Sequence, residues 1–571
     1  MPTTHLFRTL PVLATLLVTG AQWSPLGAQT TVGDGPRSDG GPPGDRSSSR
    51  AQATDPPTGD LPVVEETLRN GMRILVLPRP TSPTVSFVVR YGVGSVNEHV
   101  GNTGIAHVLE HLLFKGTETI GTRNPEAERE LFRVMDALQD SILAELGRRP
   151  RQSSGRIRML RDSIRALEDS ASAFAVSNEL DRIFSENGAR NLNATTEMEG
   201  TTYFVELPVN RAELWFALEA DRMANPVFRE FYAERDVVAE ERRTRLDDSP
   251  AGNLAAEHLA TVFKAHPYGV PPIGHMSDIQ TLTREDVQGY YDTYYGARNA
   301  VVAVVGDVEP DQILEWARDY LGRVPAGREP PPVLTREPEQ RGERRAEVVF
   351  DAEPQMWVGW PVVDAFHEDR PALDILSAIL TGGRTSRLQR RLVQRERIAT
   401  FVSSSLGPGQ LYPGHFGVQL VPRAPHTLEE LEAALHDELN RLRDTPPHDA
   451  ELTRVRNQLE AGRIRRLASN MGLAFQLAVS ESLYGDWRAT FEYTTRLQEV
   501  TPEDVQRVVK TYFLSERRTV TKLVPEDGDA SGVATEAEPP EAVGAGSDAE
   551  EPAPGAGPDP EREEPEGELR R

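Results

Sequence analysis

His107, Glu110 and His111 place two imidazoles and a carboxylate in one short stretch, Gly104-Ile-Ala-His-Val-Leu-Glu-His-Leu-Leu-Phe114. On a helix, positions 107 and 111 stand one turn apart with Cβ atoms about 5–6 Å from each other, close enough to share one metal ion. Glu110 lies beside them, where its carboxylate can reach a water at the metal without serving as a ligand. The order His-x-x-Glu-His inverts the commoner His-Glu-x-x-His. With 12 His in 571 residues, chance would give such a pattern in roughly a few per cent of chains of this composition, so the surrounding sequence has to decide.

A catalytic zinc takes three protein ligands and keeps one position open. The chain has no cysteine, which limits the third ligand to His or a carboxylate and excludes Fe–S clusters and a disulfide framework. The segment from Phe231 to Arg243 offers Glu234, Glu240 and Glu241. Glu234 and Glu241 are two helical turns apart and share a face with Val238, whereas Glu240 points about 100° away. Spacing alone leaves Glu240 open as a substitute for Glu241. His266 and His275 fall in a turn-rich segment and read as structural.

The elements that must position these groups form two halves on one pattern. Thr283 to Tyr294 aligns without a gap on Thr501 to Tyr512, an offset of 501 − 283 = 218 residues, and each segment is a capped helix running into a β-rich run, 300–305 or 519–524. We therefore expect a zinc-bearing first half over 59–325, a Pro-, Arg- and Glu-rich linker over 326–345, and a second half over 346–525. The first half opens with alternating runs on either side of Asn70-Gly71, a type I′ hairpin signal, and a further strand over 84–90. The pattern predicts an α+β fold of two homologous sandwich halves, each an antiparallel-rich sheet covered by helices. Between the parts of the site, residues 125–179 carry apolar positions at Leu131, Val134, Leu138, Ile142, Leu160, Ile164 and Leu167, broken at 147–150 and 153–155. This spacing predicts a helical hairpin with a solvated acidic face. Aligning Gly382 on Gly116 sets Leu373, Leu376 and Ser377 opposite His107, Glu110 and His111, so the second half repeats the scaffold without the metal.

The ends are of another kind. Arg8, the apolar run 10–18 and the small residues before Ala28 have the layout of a signal peptide over 1–28, with Ala21 the weaker cleavage choice, followed by a disordered leader over 29–58. Export to a periplasm or beyond the cell suits the absence of cysteine. From Glu526 to Arg571 there are 15 Asp and Glu against 3 Arg, a net of −12 out of −25 for the chain, which reads as an acidic disordered tail. Nothing forms a basic patch, so a nucleic-acid partner is not expected.

With these residues in place, residues 60–525 resemble the pitrilysin/insulinase family of inverted-motif zinc peptidases, in its processing-peptidase-like bacterial branch. The resemblance rests on His107-x-x-Glu110-His111, on Glu234-Arg…Glu241, on Leu192-Asn-Ala-Thr195 leading to Tyr203-Phe204, and on Tyr294…Asn299…Gly306-Asp307. It implies one Zn2+ per chain on His107, His111 and Glu241, Glu110 as general base, and Glu234 as a carboxylate orienting a ligand. It further implies a bowl-shaped half-chamber in which a peptide adds to the strand at Asn193, Ala194 and Thr195. The gap of 130 residues from His111 to Glu241 exceeds the family's usual one, and the helical hairpin accounts for the excess. The family's second half carries an Arg and a Tyr that hold substrate across from the zinc; here those places are Val393 and Thr400, followed by Phe401. The expectation is a zinc endopeptidase acting on peptides or unfolded segments, completed by a related zinc-free chain that brings the Arg and Tyr, or by a second copy. The alternative is a non-catalytic scaffold subunit that keeps the fold.

Overall fold

Every residue from Ala300 to Gly306 is buried, as a strand covered on both faces requires. This strand, β6, sits inside a six-stranded sheet in a computed structural model that describes residues 61–526. The expected signal peptide, the leader and the acidic tail beyond Glu526 lie outside the described residues.

The first sheet comprises β1 (Val64–Thr67), β2 (Arg73–Pro78), β3 (Thr84–Tyr91), β4 (Arg190–Thr196), β5 (Thr201–Pro208) and β6 (Ala300–Gly306), in the order β1-β2-β6-β3-β5-β4. The second has β7 (Arg344–Val349), β8 (Gln355–Pro361), β9 (Ala399–Gly407), β10 (His415–Pro422) and β11 (Thr519–Val524), in the order β7-β11-β8-β10-β9. In each sheet one pair is parallel, β2 with β6 and β7 with β11, and the other pairings are antiparallel. The two sheets therefore repeat one topology, with β1 an addition to the first. Each ends in a strand paired on one side only, β4 or β9.

The helices of the first half are α1 (Ile105–Leu112), α2 (Pro125–Leu146), α3 (Ser154–Ser172), α4 (Glu179–Glu186), α5 (Ala212–Ala224), α6 (Phe231–Arg242), α7 (Pro250–Val262), α8 (Met276–Ile279), α9 (Arg284–Tyr294) and α10 (Pro310–Asp319). Those of the second are α11 (Arg370–Thr381), α12 (Leu428–Asp444), α13 (Asp449–Arg466), α14 (Asn470–Tyr484), α15 (Ala489–Glu499) and α16 (Pro502–Tyr512). The aligned segments are α9 and α16. Both start in a capping box, whose acid is Asp286 or Asp504, the third helical residue, rather than the Glu two places after the threonine. The offset of 218 that aligns them also carries α6 onto α13, setting Leu452 at 234 + 218 and Leu459 at 241 + 218.

The halves exchange a helix. α14 lies on β3 and β6 of the first sheet, and α7 lies on β7, β8 and β11 of the second. Leu75, Leu77, Val88, Val301 and Val305 thereby share one apolar core with Leu473, Ala474, Leu477 and Trp487. The alternate residues of the same strands, Ile74, Val76, Phe87 and Val302, face the core that also holds α1.

Three local expectations are corrected. The loop after β1 is a longer turn, with Gly71 N–H donating to Leu68 O and Leu68 N–H to Met72 O, and Gly71 takes a φ of +91°. Asn70 is not the left-handed residue of a type I′ turn, because its side-chain amide is drawn onto Leu321 O and Val324 O. The hairpin of α2 and α3 forms, but Val134 is exposed and Met135 takes the core position. Its acids are not all solvated: Glu128 is buried in an ion pair with Arg229, and Glu145 accepts from Ser153 N–H at the turn.

Where α7 meets the second sheet, two buried histidines lie together. His258 Nδ1 pairs with Thr521 Oγ1 at 3.0 Å, His415 Nδ1 donates to Gly407 O at 3.0 Å, and neither Nε2 has a hydrogen-bond partner. Burial depresses both, His415 from 6.5 to about 4. A base depressed in the folded state binds fewer protons there than when unfolded, so its contribution is whole above 6.5 and lost as pH falls towards 4, by about 1.4 kcal/mol per unit. Urea titrations across this range should show that loss. The slope should be shallower in His415→Gln, whose amide can still donate to Gly407 O; an equal slope would remove His415 as its source.

Candidate metal centre

α1 is held at its first turn by acids the sequence reading passed over. Glu98 accepts Gly104 N–H at 2.8 Å and Ala106 N–H at 2.9 Å, taking up donors that a helix start leaves unpaired. Asp278 accepts Gly101 N–H, Thr103 N–H and the Thr103 hydroxyl in the loop just before. Gly104 has a φ of +89°, and a Cβ there would stand 2.6 Å from Ile273 O, so the residue must be glycine. Burial pushes the Glu98 carboxyl up to about 8, against the pull of its two backbone donors.

α6 packs beside α1, with Phe231, Val238 and Ala239 buried and Glu234 and Glu241 towards the histidines. His107 Nε2 lies 3.3 Å from Glu241 Oε2, and His111 Nε2 lies 3.5 Å from the same oxygen. One donor atom from each of His107, His111 and Glu241 falls within 4.8 Å of the others, and among the described residues no other group of three or more His, Asp or Glu does so. Glu240 points away and pairs with Arg243. Glu234 Oε2 stands 3.4 Å from His111 Nδ1, the ring nitrogen turned away from Glu241, so it fixes the ring's tautomer and orientation. Lys115 in turn holds Glu234 at 2.5 Å and Glu230 at 2.9 Å.

Charge gathers here. Burial works against a proton on His111, but Glu234 and Glu241 bonded to it, with Glu110 beside it, outweigh burial and raise its pKa to about 9. Burial pulls Glu241 upward, but the two imidazoles hold it well below the ordinary carboxylate range. Arg245 Nη1 comes within 2.5 Å of Glu241 Oε1, yet that buried oxygen has no aligned hydrogen bond. Two imidazole nitrogens and a carboxylate oxygen, convergent and anionic, fit the donor set of a catalytic zinc.

Glu110 is buried next to His111 and is not one of the three donors; the Thr196 hydroxyl donates to its Oε2 at 2.5 Å. Asn193, Ala194 and Thr195 lie on β4 at the sheet's free edge. The Ala194 side chain enters the core, while Asn193 and Thr195 are half-buried. His266 and His275 stand apart from the centre: His266 Nδ1 accepts Tyr268 N–H, and His275 precedes the first turn of α8 without a side-chain capping bond. Glu98, Lys115 and Thr196 were missed; each lies within four residues of the His motif or the Asn-Ala-Thr strand, or one loop before α1, and that proximity was the available signal.

In the second half Leu373 and Leu376 of α11 are buried and Ser377 bonds Ser404 on β9. With Leu452 and Leu459 on α13, none of the places equivalent to the centre carries a metal-binding side chain. Val393 sits in the π-helical turn Gln389–Arg395 and Thr400 on β9. Arg387 is tied to Glu438 and Glu451, and Arg391 to Glu396, Asp437 and Glu438.

Comparison with known proteins gives two family matches. The model described as insulinase (peptidase family M16) matches residues 73–132 and 170–274, and the one described as peptidase M16 inactive domain matches 281–459. The interruption from 132 to 170 falls within α2 and α3, and all three donors, with Glu110, lie in the insulinase segments. The zinc protease PqqE of Helicobacter pylori is 30% identical over 468 residues, 80% of this chain and 92% of that protein. The crystal structure of a protease from Helicobacter pylori superposes with a TM-score of 0.68 at 28% identity, covering 81% of this chain and 99% of that one. The periplasmic protease PqqL of Escherichia coli shares the fold at 17% identity with a TM-score of 0.61, covering 82% of this chain but 48% of that one.

Glu241→Ala is expected to abolish tight zinc binding, and Glu234→Gln to weaken it about 10–100-fold, the usual effect of a lost orienting partner. Equilibrium dialysis against zinc measures both; wild-type affinity in the two variants would overturn the donor assignment.

Proposed function

The chain belongs to the insulinase family of peptidases, peptidase family M16, and from that premise we propose that it is a zinc-dependent endopeptidase cleaving peptides or unfolded protein segments. The observation that carries this reading is the convergence of His107, His111 and Glu241 with an acid, Glu110, that stays outside the donor set. Zinc, when bound, supplies Lewis acidity that makes water nucleophilic near neutral pH. His107, His111 and Glu241 are its proposed ligands, one ion per chain, and Glu234 holds His111 by Nδ1.

The remaining steps belong to the chain's own side chains. A peptide adds to the free edge of β4 at Asn193, Ala194 and Thr195, where backbone pairing accepts any extended sequence. Glu110, as general base, takes a proton from the attacking water on a carboxylate oxygen and passes it to the departing amine nitrogen. The water's oxygen becomes part of the new carboxylate, the C–N bond breaks, and Glu110 returns to its starting charge.

The second half lacks the Arg and Tyr of the family at 393 and 400; of the nearby arginines, Arg387 and Arg391 are held in ion pairs, whereas Arg390 and Arg395 are exposed. We therefore propose that a related zinc-free chain, or a second copy, completes the chamber. The match to 48% of a longer single chain supports a chamber built from two such units. The N-terminal sequence supports export to the periplasm or beyond the cell, and no helix of the described residues is long and apolar enough to cross a membrane.

Glu110→Gln should keep one zinc per chain and lower kcat by about 10²–10⁴. Zinc analysis and cleavage of an unstructured peptide, with and without a candidate partner chain, test this. Equal cleavage by wild type and variant would overturn the peptidase reading in favour of the scaffold, and full activity of the isolated monomer would overturn the two-chain chamber.

A further inference from the structure

Among the described residues, the Glu110 carboxylate has one hydrogen-bond partner: the Thr196 hydroxyl, which donates to Glu110 Oε2 at 2.5 Å. Thr196 is the last residue of β4, directly after Asn193, Ala194 and Thr195. Its backbone is fixed on both sides. It pairs with Thr201 across the hairpin, and Glu197 N–H donates to Gly200 O in the turn that follows. That turn is clasped by the second half: Glu199 accepts Gln410 N–H at 2.9 Å and Leu411 N–H at 3.3 Å, and Tyr268 of the first half donates its hydroxyl to the same carboxylate. A β-branched side chain on a strand so held has little χ1 freedom, so the hydroxyl stands at a set place beside α1.

We propose that Thr196 is a positioning residue for the base: its Oγ–H bond to Glu110 Oε2 aims the carboxylate, so that the strand receiving the peptide also sets the group that handles the proton. The inference rests on the peptidase reading and deepens it. A buried carboxylate with one donor can otherwise turn about its last side-chain bonds, and an oxygen displaced by about 1 Å leaves hydrogen-bond reach of the water it must deprotonate. With the donor in place one lone pair of Oε2 is engaged, and Oε1 remains free to take the proton. Thr196 does not belong to the donor group His107, His111 and Glu241, so its effect on zinc and its effect on the base can be separated.

The test compares wild type, Thr196→Val, Thr196→Ser, Glu110→Gln and the Thr196→Val/Glu110→Gln double variant, each as the full zinc-loaded chain, with the partner chain if wild type needs it. An unstructured fluorogenic peptide is the probe, and zinc per chain and the thermal midpoint are measured on the same samples. Thr196→Val should lower kcat about tenfold, the usual worth of a bond to a charged group, while KM and zinc per chain stay within about twofold. Thr196→Ser, which keeps the hydroxyl, should retain most of kcat, and adding Thr196→Val to Glu110→Gln should cost nothing more. Wild-type kcat in Thr196→Val, a change confined to KM, loss of zinc, or a serine variant as impaired as the valine would each overturn the proposal. If the valine variant does not fold, Thr196→Ala is judged by the same criteria. Equal cleavage by wild type and Glu110→Gln overturns the peptidase reading itself, a result distinct from all of these.

Discussion

Two helices separated by more than a hundred residues of chain must bring their side chains within a metal's reach, and this constraint organises the first half. α1 carries His107 and His111, α6 carries Glu241, and the three donor atoms stand within 4.8 Å. An error of one ångström in the seating of either helix would open a site that tolerates far less. The helices are accordingly over-determined. Glu98 and Asp278 bind the approach and first turn of α1, Lys115 joins its far end to Glu230 and Glu234 of the α6 segment, and Val238, between Glu234 and Glu241 on α6, is fully buried. A cluster of acids held together is costly without cations, and Lys115 and Arg245 supply part of the balance within the protein itself.

The metal-free half is bound into the same constraint. α14 covers the back of the first sheet, and α7 covers the second, so neither sheet has a complete core without a helix from the other half. The turn between β4 and β5 is held by Glu199 against the loop after β9. Without a metal-binding set of its own, the second half still has a structural task at the first half's edge strand. Leu373, Leu376, Leu452 and Leu459 show what such a half does with the freed positions: it fills them with apolar packing, which stabilises a helix pair more cheaply than a charged cluster does.

Much of this was legible in sequence because it is written in period and spacing. The i,i+4 histidines, the heptad spacing of Glu234 and Glu241, and the 218-residue offset all survive in the structure as shared faces and matching helices. What was not legible depends on where chains cross. Asn70 reads as a turn residue, but the carbonyls of Leu321 and Val324 claim its amide. Glu128 and Glu145 read as solvent-facing acids of a polar hairpin, but Arg229 and the Ser153 amide draw them inward. Val134 and Met135 stand at i+3 and i+4 from Leu131, both allowed spacings of one helical face, so period alone does not choose between them, and Met135 is the one buried. Glu98 acts through two hydrogen bonds to the backbone at the start of α1 and Thr196 through one across the fold, and such bonds leave no periodic trace.

The arginines near Val393 and Thr400 sharpen the difference between the halves. A residue that grips a substrate across a cavity must keep its donors free, yet Arg387 and Arg391 spend theirs on Glu438, Glu451, Asp437 and Glu396. Releasing either would leave buried Glu438 with one cation fewer, a penalty of the kind that breaking a partly buried pair incurs. These two guanidiniums are thus fixed by the stability of their own half. At 393 and 400 the family's Arg and Tyr are absent, and of the arginines around them Arg387 and Arg391 are drawn inward to carboxylates while Arg390 and Arg395 stay exposed.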